Sequence, residues 1–326
     1  MKVKKVIKVI FASAAAISIA VVAAGNYFMD YSITRQSNSG DRTVDNELIE
    51  DTESLLQKTV KENQKKEAES GEKWHETTAY EEVSILTPDG LNLYGDFYPA
   101  KEENHKYLLA VHGYKVDKTA MYGYASHYWE QGYHVLTVDQ RSHGKSEGKY
   151  IGMGWLERKD MLQWINYLIE KDPDAQIVMH GVSMGAATVM MTAGEELPPQ
   201  VKACVEDCGF SSVWDIMSSE LNARFHLPPF PLVHVASTIS KLRAGYDFRE
   251  ASSVEQLKKA KVPMLFIHGT KDGFVPFYML QKVYDAHPGE KEMYVVEDVD
   301  HTDAVNADVE KYYDRVFTFL NRYMEK

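Results

Sequence analysis

From residue 80 onward, short apolar runs alternate with segments whose apolar residues recur at helical spacing, and this alternation narrows the possible folds sharply. The runs at 106–112, 134–139, 176–180, 201–207, 263–268 and 291–297 are too short for helices. Their near-continuous apolar character fits strands covered on both faces. Helical spacing occupies 119–131, 156–171, 184–195, 277–287 and 303–324. Parallel strands cannot be joined by tight turns, so these helices must serve as crossovers on the two faces of a sheet. Residues 81–100 read instead as two alternating strands joined at Pro88-Asp89-Gly90, an antiparallel start. The expected fold class is α/β, with a mostly parallel central sheet flanked by helices.

Two zones precede this working domain of 80–326. Lys2, Lys4, Lys5 and Lys8 lead into a run from Val9 to Ala24 without a charged residue, and the uncharged stretch continues through Met29. A helix over 6–29 is long enough to cross about 30 Å of hydrocarbon. Residues 1–31 therefore read as a transmembrane anchor or signal segment. The preceding lysines favour a cytoplasmic N-terminus, which puts everything after Asp30 outside. Val22-Ala23-Ala24 offers a cleavage site, in which case the mature protein is secreted. Residues 32–79 are rich in Glu, Lys, Gln, Asn, Ser and Thr and read as a polar stalk or linker. A short amphipathic helix packed on the main domain is the competing reading.

The chain of 326 residues carries a formal net charge of −12, which argues against a nucleic-acid surface. Its two cysteines, Cys204 and Cys208, fall in one strand-like run, where their Cα atoms stand about 13 Å apart. That is too far for a mutual disulfide, and packing is favoured over a redox or metal role. No metal and no organic cofactor are expected.

The residues that carry chemistry lie at strand ends. Gly181-Val182-Ser183-Met184-Gly185 stands between an apolar strand and a helix. A serine on such a sharp turn needs neighbours without side chains, which the two glycines supply. Asp272 lies on the loop after the strand at 263–268, and His301 directly follows the last strand. The order Ser, Asp, His is the one expected when the three meet at the carboxyl edge of such a sheet. At the end of an earlier strand, His112-Gly113-Tyr114 brings backbone close to the serine. The N–H groups of Tyr114 and Met184 are the expected oxyanion hole, with His112 structural.

With these residues in place, 80–326 resembles the α/β-hydrolase superfamily, in the branch of serine aminopeptidases, monoacylglycerol lipases and Bem46-like hydrolases. The matching stretches are HGY at 112–114, DQRSHGKSEG at 139–148, GVSMG at 181–185, HGTKDGFVP at 268–276 and DHTD at 300–303. Many relatives have Gly where this chain has Asp300, whose carboxylate is expected either to raise the pKa of His301 or to point away. The resemblance implies a helical cap at about 212–250. Trp214, Phe225 and Phe230 within it are candidates to line an acyl pocket, against the alternative of a peripheral helical pair. Asp207 is the fallback acid.

Ser183, Asp272 and His301 then imply an extracytoplasmic, membrane-associated serine hydrolase. It would cleave a carboxylic ester, thioester or amide through an acyl-enzyme. A small acyl ester or a peptide is the expected substrate, with a peptidase as the enzymatic alternative. A silent hydrolase-fold binding protein is disfavoured by the intact triad, and an assembly stalk would leave it unexplained. Oligomeric state is left open.

Overall fold

The structure, a computed structural model, describes residues 2–35 and 54–324. The apolar runs form strands as their composition requires: β1 (Glu81–Leu86), β2 (Asn92–Tyr98), β3 (Lys106–Val111), β4 (His134–Val138), β5 (Gln176–Val182), β6 (Val201–Asp207), β7 (Met264–Gly269) and β8 (Lys291–Val296). They make one sheet in the order β1-β2-β4-β3-β5-β6-β7-β8. The first two strands pair antiparallel, β2 also runs antiparallel to β4, and all later pairings are parallel. Leu108, Leu109, Val178, Met179, Val205 and Phe266 are fully buried, because helices cover both faces.

The helices are α1 (Lys2–Ile33), α2 (Leu55–Thr77), α3 (Tyr122–Glu130), α4 (Glu157–Lys171), α5 (Met184–Ala193), α6 (Val213–Phe225), α7 (Leu232–Ala244), α8 (Ser253–Leu257), α9 (Tyr278–Ala286), α10 (Ala304–Ala307) and α11 (Val309–Leu320). Sequence spacing suggests one closing helix over 303–324. The structure breaks it at Asp308, whose extended backbone caps α11 while its side chain accepts from the Lys311 N–H. The cap region between β6 and β7 contains α6 and α7.

The segment from 32 to 79 departs from the stalk reading. Residues 36–53 lie outside the described residues, whereas 55–77 form α2, the packed helix of the competing reading. Ser54 and Gln57 close a capping box at its start. A Cβ on Gly71 would meet the Gly123 nitrogen at 2.4 Å, so the glycine permits α2 to touch α3 backbone to backbone. Trp74 is buried against Tyr98, Tyr122 and Trp129, and Glu67 pairs with His127 at 2.8 Å.

The N-terminal helix changes character along its length. Phe11–Ile33 is long and apolar enough to cross a membrane. Phe11, Ile17, Ile19 and Val22 are exposed, but Gly25, Phe28, Met29, Ser32 and Ile33 are buried against the body. Gly25 meets α7, where a Cβ would lie 2.5 Å from Val235. Arg243, near the end of α7, pairs with Asp30 at 2.7 Å and donates to Asn26 at 2.7 Å. The last residues run on against the loop after β4, with the Ile151 N–H donating to the Ile33 carbonyl at 2.7 Å.

Candidate active site

The turn after β5 is dictated by sterics. Ser183 has φ 57° and ψ −115°, a strained conformation that projects its side chain beyond the strand end. A Cβ on Gly181 would stand 2.2 Å from the Gly185 carbonyl oxygen, and one on Gly185 would stand 2.0 Å from that of Val111. No side chain fits at either position. The Ser183 N–H donates to the Asp207 carbonyl at 2.8 Å, and its carbonyl accepts from Ala187 as α5 begins. Both ends of the turn are thereby fixed.

His301 reaches this serine from the loop after β8, with Nε2 2.8 Å from Ser183 Oγ and Nδ1 2.7 Å from Asp272 Oδ2. The other oxygen of Asp272 accepts from the N–H groups of Phe274 and Val275, at 2.9 and 2.7 Å. Burial pushes the Asp272 carboxyl up, but hydrogen bonds from His268 and His301 outweigh it and hold the pKa down at about 2. Asp300 takes a third course between the two expected of it. Its Oδ1 accepts from the N–H of Gly273 at 2.8 Å and of His301 at 2.7 Å, tying together the loops that carry Asp272 and His301. Asp207, the fallback acid, is engaged elsewhere, accepting from the Tyr312 hydroxyl at 2.7 Å.

The strand end at β3 lies against the serine. A Cβ on Gly113 would be 3.5 Å from Ser183 Cβ, which puts the backbone leading into Tyr114 beside Ser183. Met184 begins α5 on the other side. The Tyr114 hydroxyl donates to the Ser32 carbonyl, so the last turn of α1 pins the residue next to Gly113. His112 is buried and structural: its Nδ1 donates to the Gly113 carbonyl at 2.7 Å and its Nε2 accepts from the Gln140 N–H at 3.0 Å.

Phe274 forms the wall beside His301, with ring centroids 5.0 Å apart, and the Arg224 guanidinium at the end of α6 stands 5.9 Å from the Phe274 ring. The candidate pocket residues spread across the cap. The Arg249 guanidinium lies over the Trp214 ring at 3.6 Å and His234 meets that ring edge-on at 4.7 Å, Phe230 packs on His234, and Phe225 and Phe230 are exposed. A recess of about 530 Å³ beside His234, Lys241, Arg249 and Glu250 has no triad residue in its lining. Cys204 and Cys208 are buried free thiols, and burial raises both pKa values.

Two groups near the triad escape a reading of the sequence. His268 at the end of β7 is fully buried, with Nε2 2.9 Å from the Val275 carbonyl and 3.1 Å from Asp272 Oδ2. Neighbouring it electrostatically is Glu206, also fully buried, which accepts from the Gly209 N–H at 3.0 Å and whose burial lifts its pKa to about 8. The signal for His268 was the HGTKD run itself, which placed a histidine four residues before the acid.

A parallel sheet with a strained Ser183 turn at its carboxyl edge and a histidine and an acid delivered by later loops defines a hydrolase of the α/β class. Comparison with known proteins agrees. The family model described as "Serine aminopeptidase, S33" matches residues 102–214. YqkD of Bacillus subtilis (strain 168) is 28% identical over 271 residues, 82% of this chain and 88% of that one. The lysophosphatidylserine lipase ABHD12 of Danio rerio is 29% identical over 167 residues, 47% of this chain and 39% of its own. Among solved structures, the Pyrococcus furiosus esterase Pf2001 superposes with a TM-score of 0.63 at 25% identity, covering 76% of this chain and 93% of the esterase. The chain has the α/β-hydrolase fold.

Proposed function

We propose that this protein is a membrane-anchored serine hydrolase that cleaves carboxylic esters on the extracytoplasmic side. One observation carries the reading: the continuous chain from Ser183 Oγ to His301 Nε2 at 2.8 Å and from His301 Nδ1 to Asp272 Oδ2 at 2.7 Å. His301 takes the Ser183 proton as Oγ attacks the carbonyl carbon, and Asp272 holds the ring and stabilises its positive form. The N–H groups of Tyr114 and Met184 receive the oxyanion. The imidazolium then protonates the leaving alcohol, leaving an acyl-Ser183 ester. Water, deprotonated by the same imidazole, attacks this ester and releases the acid.

The superposition on an esterase over three quarters of the chain supports an ester substrate. A peptide bond is the second reading, supported by the serine aminopeptidase match at 102–214 and by the fold likeness to the Pyrococcus horikoshii acylaminoacyl peptidase. That structure has 18% identity, a TM-score of 0.57, and coverage of 79% of this chain and 44% of the peptidase. The exposed apolar stretch of α1 and the lysines before it support a single span with the N-terminus inside.

A fluorophosphonate probe on the full chain tests the mechanism. Wild type should be labelled and should turn over short acyl esters, while Ser183→Ala and His301→Ala should lose labelling and at least about 10³-fold in kcat. A folded wild type that neither labels nor turns over would indicate a binding protein, and turnover confined to aminoacyl amides would indicate the peptidase.

A further inference from the structure

We infer that the cap edge from Phe225 to Leu232 rests in the surface of the bilayer that α1 enters, so that the cap and the anchor form one membrane-contacting face. The inference rests on the proposed anchoring by α1 and goes beyond it, because an anchor alone leaves the body free to stand off the lipid.

The orientation follows from how α1 and α7 are fastened. Gly25 lies against Val235, while Asn26 and Asp30 are held by Arg243, so the two helices run in the same direction. The start of α7 therefore points back toward the N-terminal, lipid-compatible part of α1. Leu232 precedes Val235 by three residues, about 4.5 Å along the axis, which sets it near the level of Val22. The carbonyls of Pro229 and Pro231 accept from the N–H groups of Val233 and Val235, so the stretch that holds Phe230 continues the first turn of α7 in that direction.

Composition and exposure at this edge match a lipid surface. Residues 225–240 contain no Asp, Glu, Lys or Arg, in a chain of which 26% is charged. Phe230 is 70% exposed and Leu227 41%, and on α1 Ile17, Ile19 and Val22 are exposed as well. Exposed large apolar side chains are unfavourable in water, and within the interface they are stabilised. Tyr27 is exposed one turn above Ala23, the depth at which interfacial tyrosines collect. Nineteen residues from Val6 to Ala24 span about 28 Å, which leaves Gly25 at the boundary where docking on α7 begins. The edge adjoins the catalytic mouth, because Phe225 follows Arg224, which stands over the Phe274 ring beside His301.

Depth-dependent quenching tests this on the full chain reconstituted in phosphatidylcholine/phosphatidylglycerol vesicles. Single substitutions Leu227→Cys, Phe230→Cys, Ile17→Cys and Asp174→Cys would each carry an environment-sensitive fluorophore, the native cysteines being buried. Asp174 is exposed in the turn before β5, at the end of the sheet opposite the cap. Brominated lipids should quench positions 227 and 230 at least twofold, as they quench 17, and leave 174 unchanged. Quenching at 17 without quenching at both 227 and 230 overturns the inference while the anchor stands. Absence of quenching at 17 removes the anchor reading and the inference together.

Discussion

Nε2 of His268 lies 3.1 Å from Oδ2 of Asp272, the same oxygen that meets Nδ1 of His301 at 2.7 Å. The buried His268 imidazole and the His301 imidazole thus both hold the Asp272 carboxylate. The carboxylate has four hydrogen-bonding neighbours, counting the N–H groups of Phe274 and Val275, and cannot turn away from His301.

His268 is accordingly a positioning residue. His268→Phe should lower kcat for a short ester about tenfold with KM little changed, since the triad loses orientation but substrate contacts stay. His268→Gln, which keeps a donor, should recover most of that loss. Equal losses in both variants, accompanied by a lower melting temperature, would reduce His268 to a packing role.

The glycines should divide by what surrounds them. Gly185→Ala puts a methyl 2.0 Å from the Val111 carbonyl oxygen, so the turn must open, at a cost of about 3 kcal/mol and loss of probe labelling. Gly90→Ala meets nothing within 4 Å and costs only the strain of φ 87°, about 1 kcal/mol. Urea unfolding of both variants would measure the difference.

Two buried carboxyls should give stability opposite pH slopes. Asp272 is held at about 2, below its ordinary 3.8, so its contribution is present above pH ~4 and disappears as pH falls through 2, a change of about 2 kcal/mol. Glu206 is raised to about 8 from 4.5, so the folded state keeps a proton that the unfolded state has lost. Its contribution is whole below pH ~4.5 and disappears as pH rises through 8. Melting temperatures should fall between pH 5 and 9 in wild type and fall less in Glu206→Gln. The Asp272→Asn variant should lack part of the decline below pH 4.

The sequence shows clearly those features whose cause is local. The GVSMG turn announces itself because the crowding that forbids side chains at Gly181 and Gly185 comes from the turn and the adjoining strand. The strand-like runs at 106–112 and 176–180 are equally plain, since burial on both faces requires continuous apolar residues. Asp272 and His301 are selected by chain order, although their hydrogen bond spans 29 residues.

What depended on distant partners could not be read in this way. Residues 55–77 have the composition of a solvated stalk, and contacts such as those of Gly71 with Gly123 and of Trp74 with Tyr98 turn them into a wall of the body. Met29 reads as the end of an apolar tail and Ile33 as part of a polar stalk, yet both are wholly buried. The sequence by itself determined the α/β layering, the strained serine turn and the order in which Ser183, Asp272 and His301 arrive, because each follows from short-range sterics, from periodicity of burial or from the order of the chain. Tertiary structure alone decided that His268 shares Asp272 with His301, that Asp300 ties the loops that carry those two residues, and that α1 runs alongside α7. Each of those contacts joins segments that no local pattern couples, and its free energy exists only once the chain has brought them together.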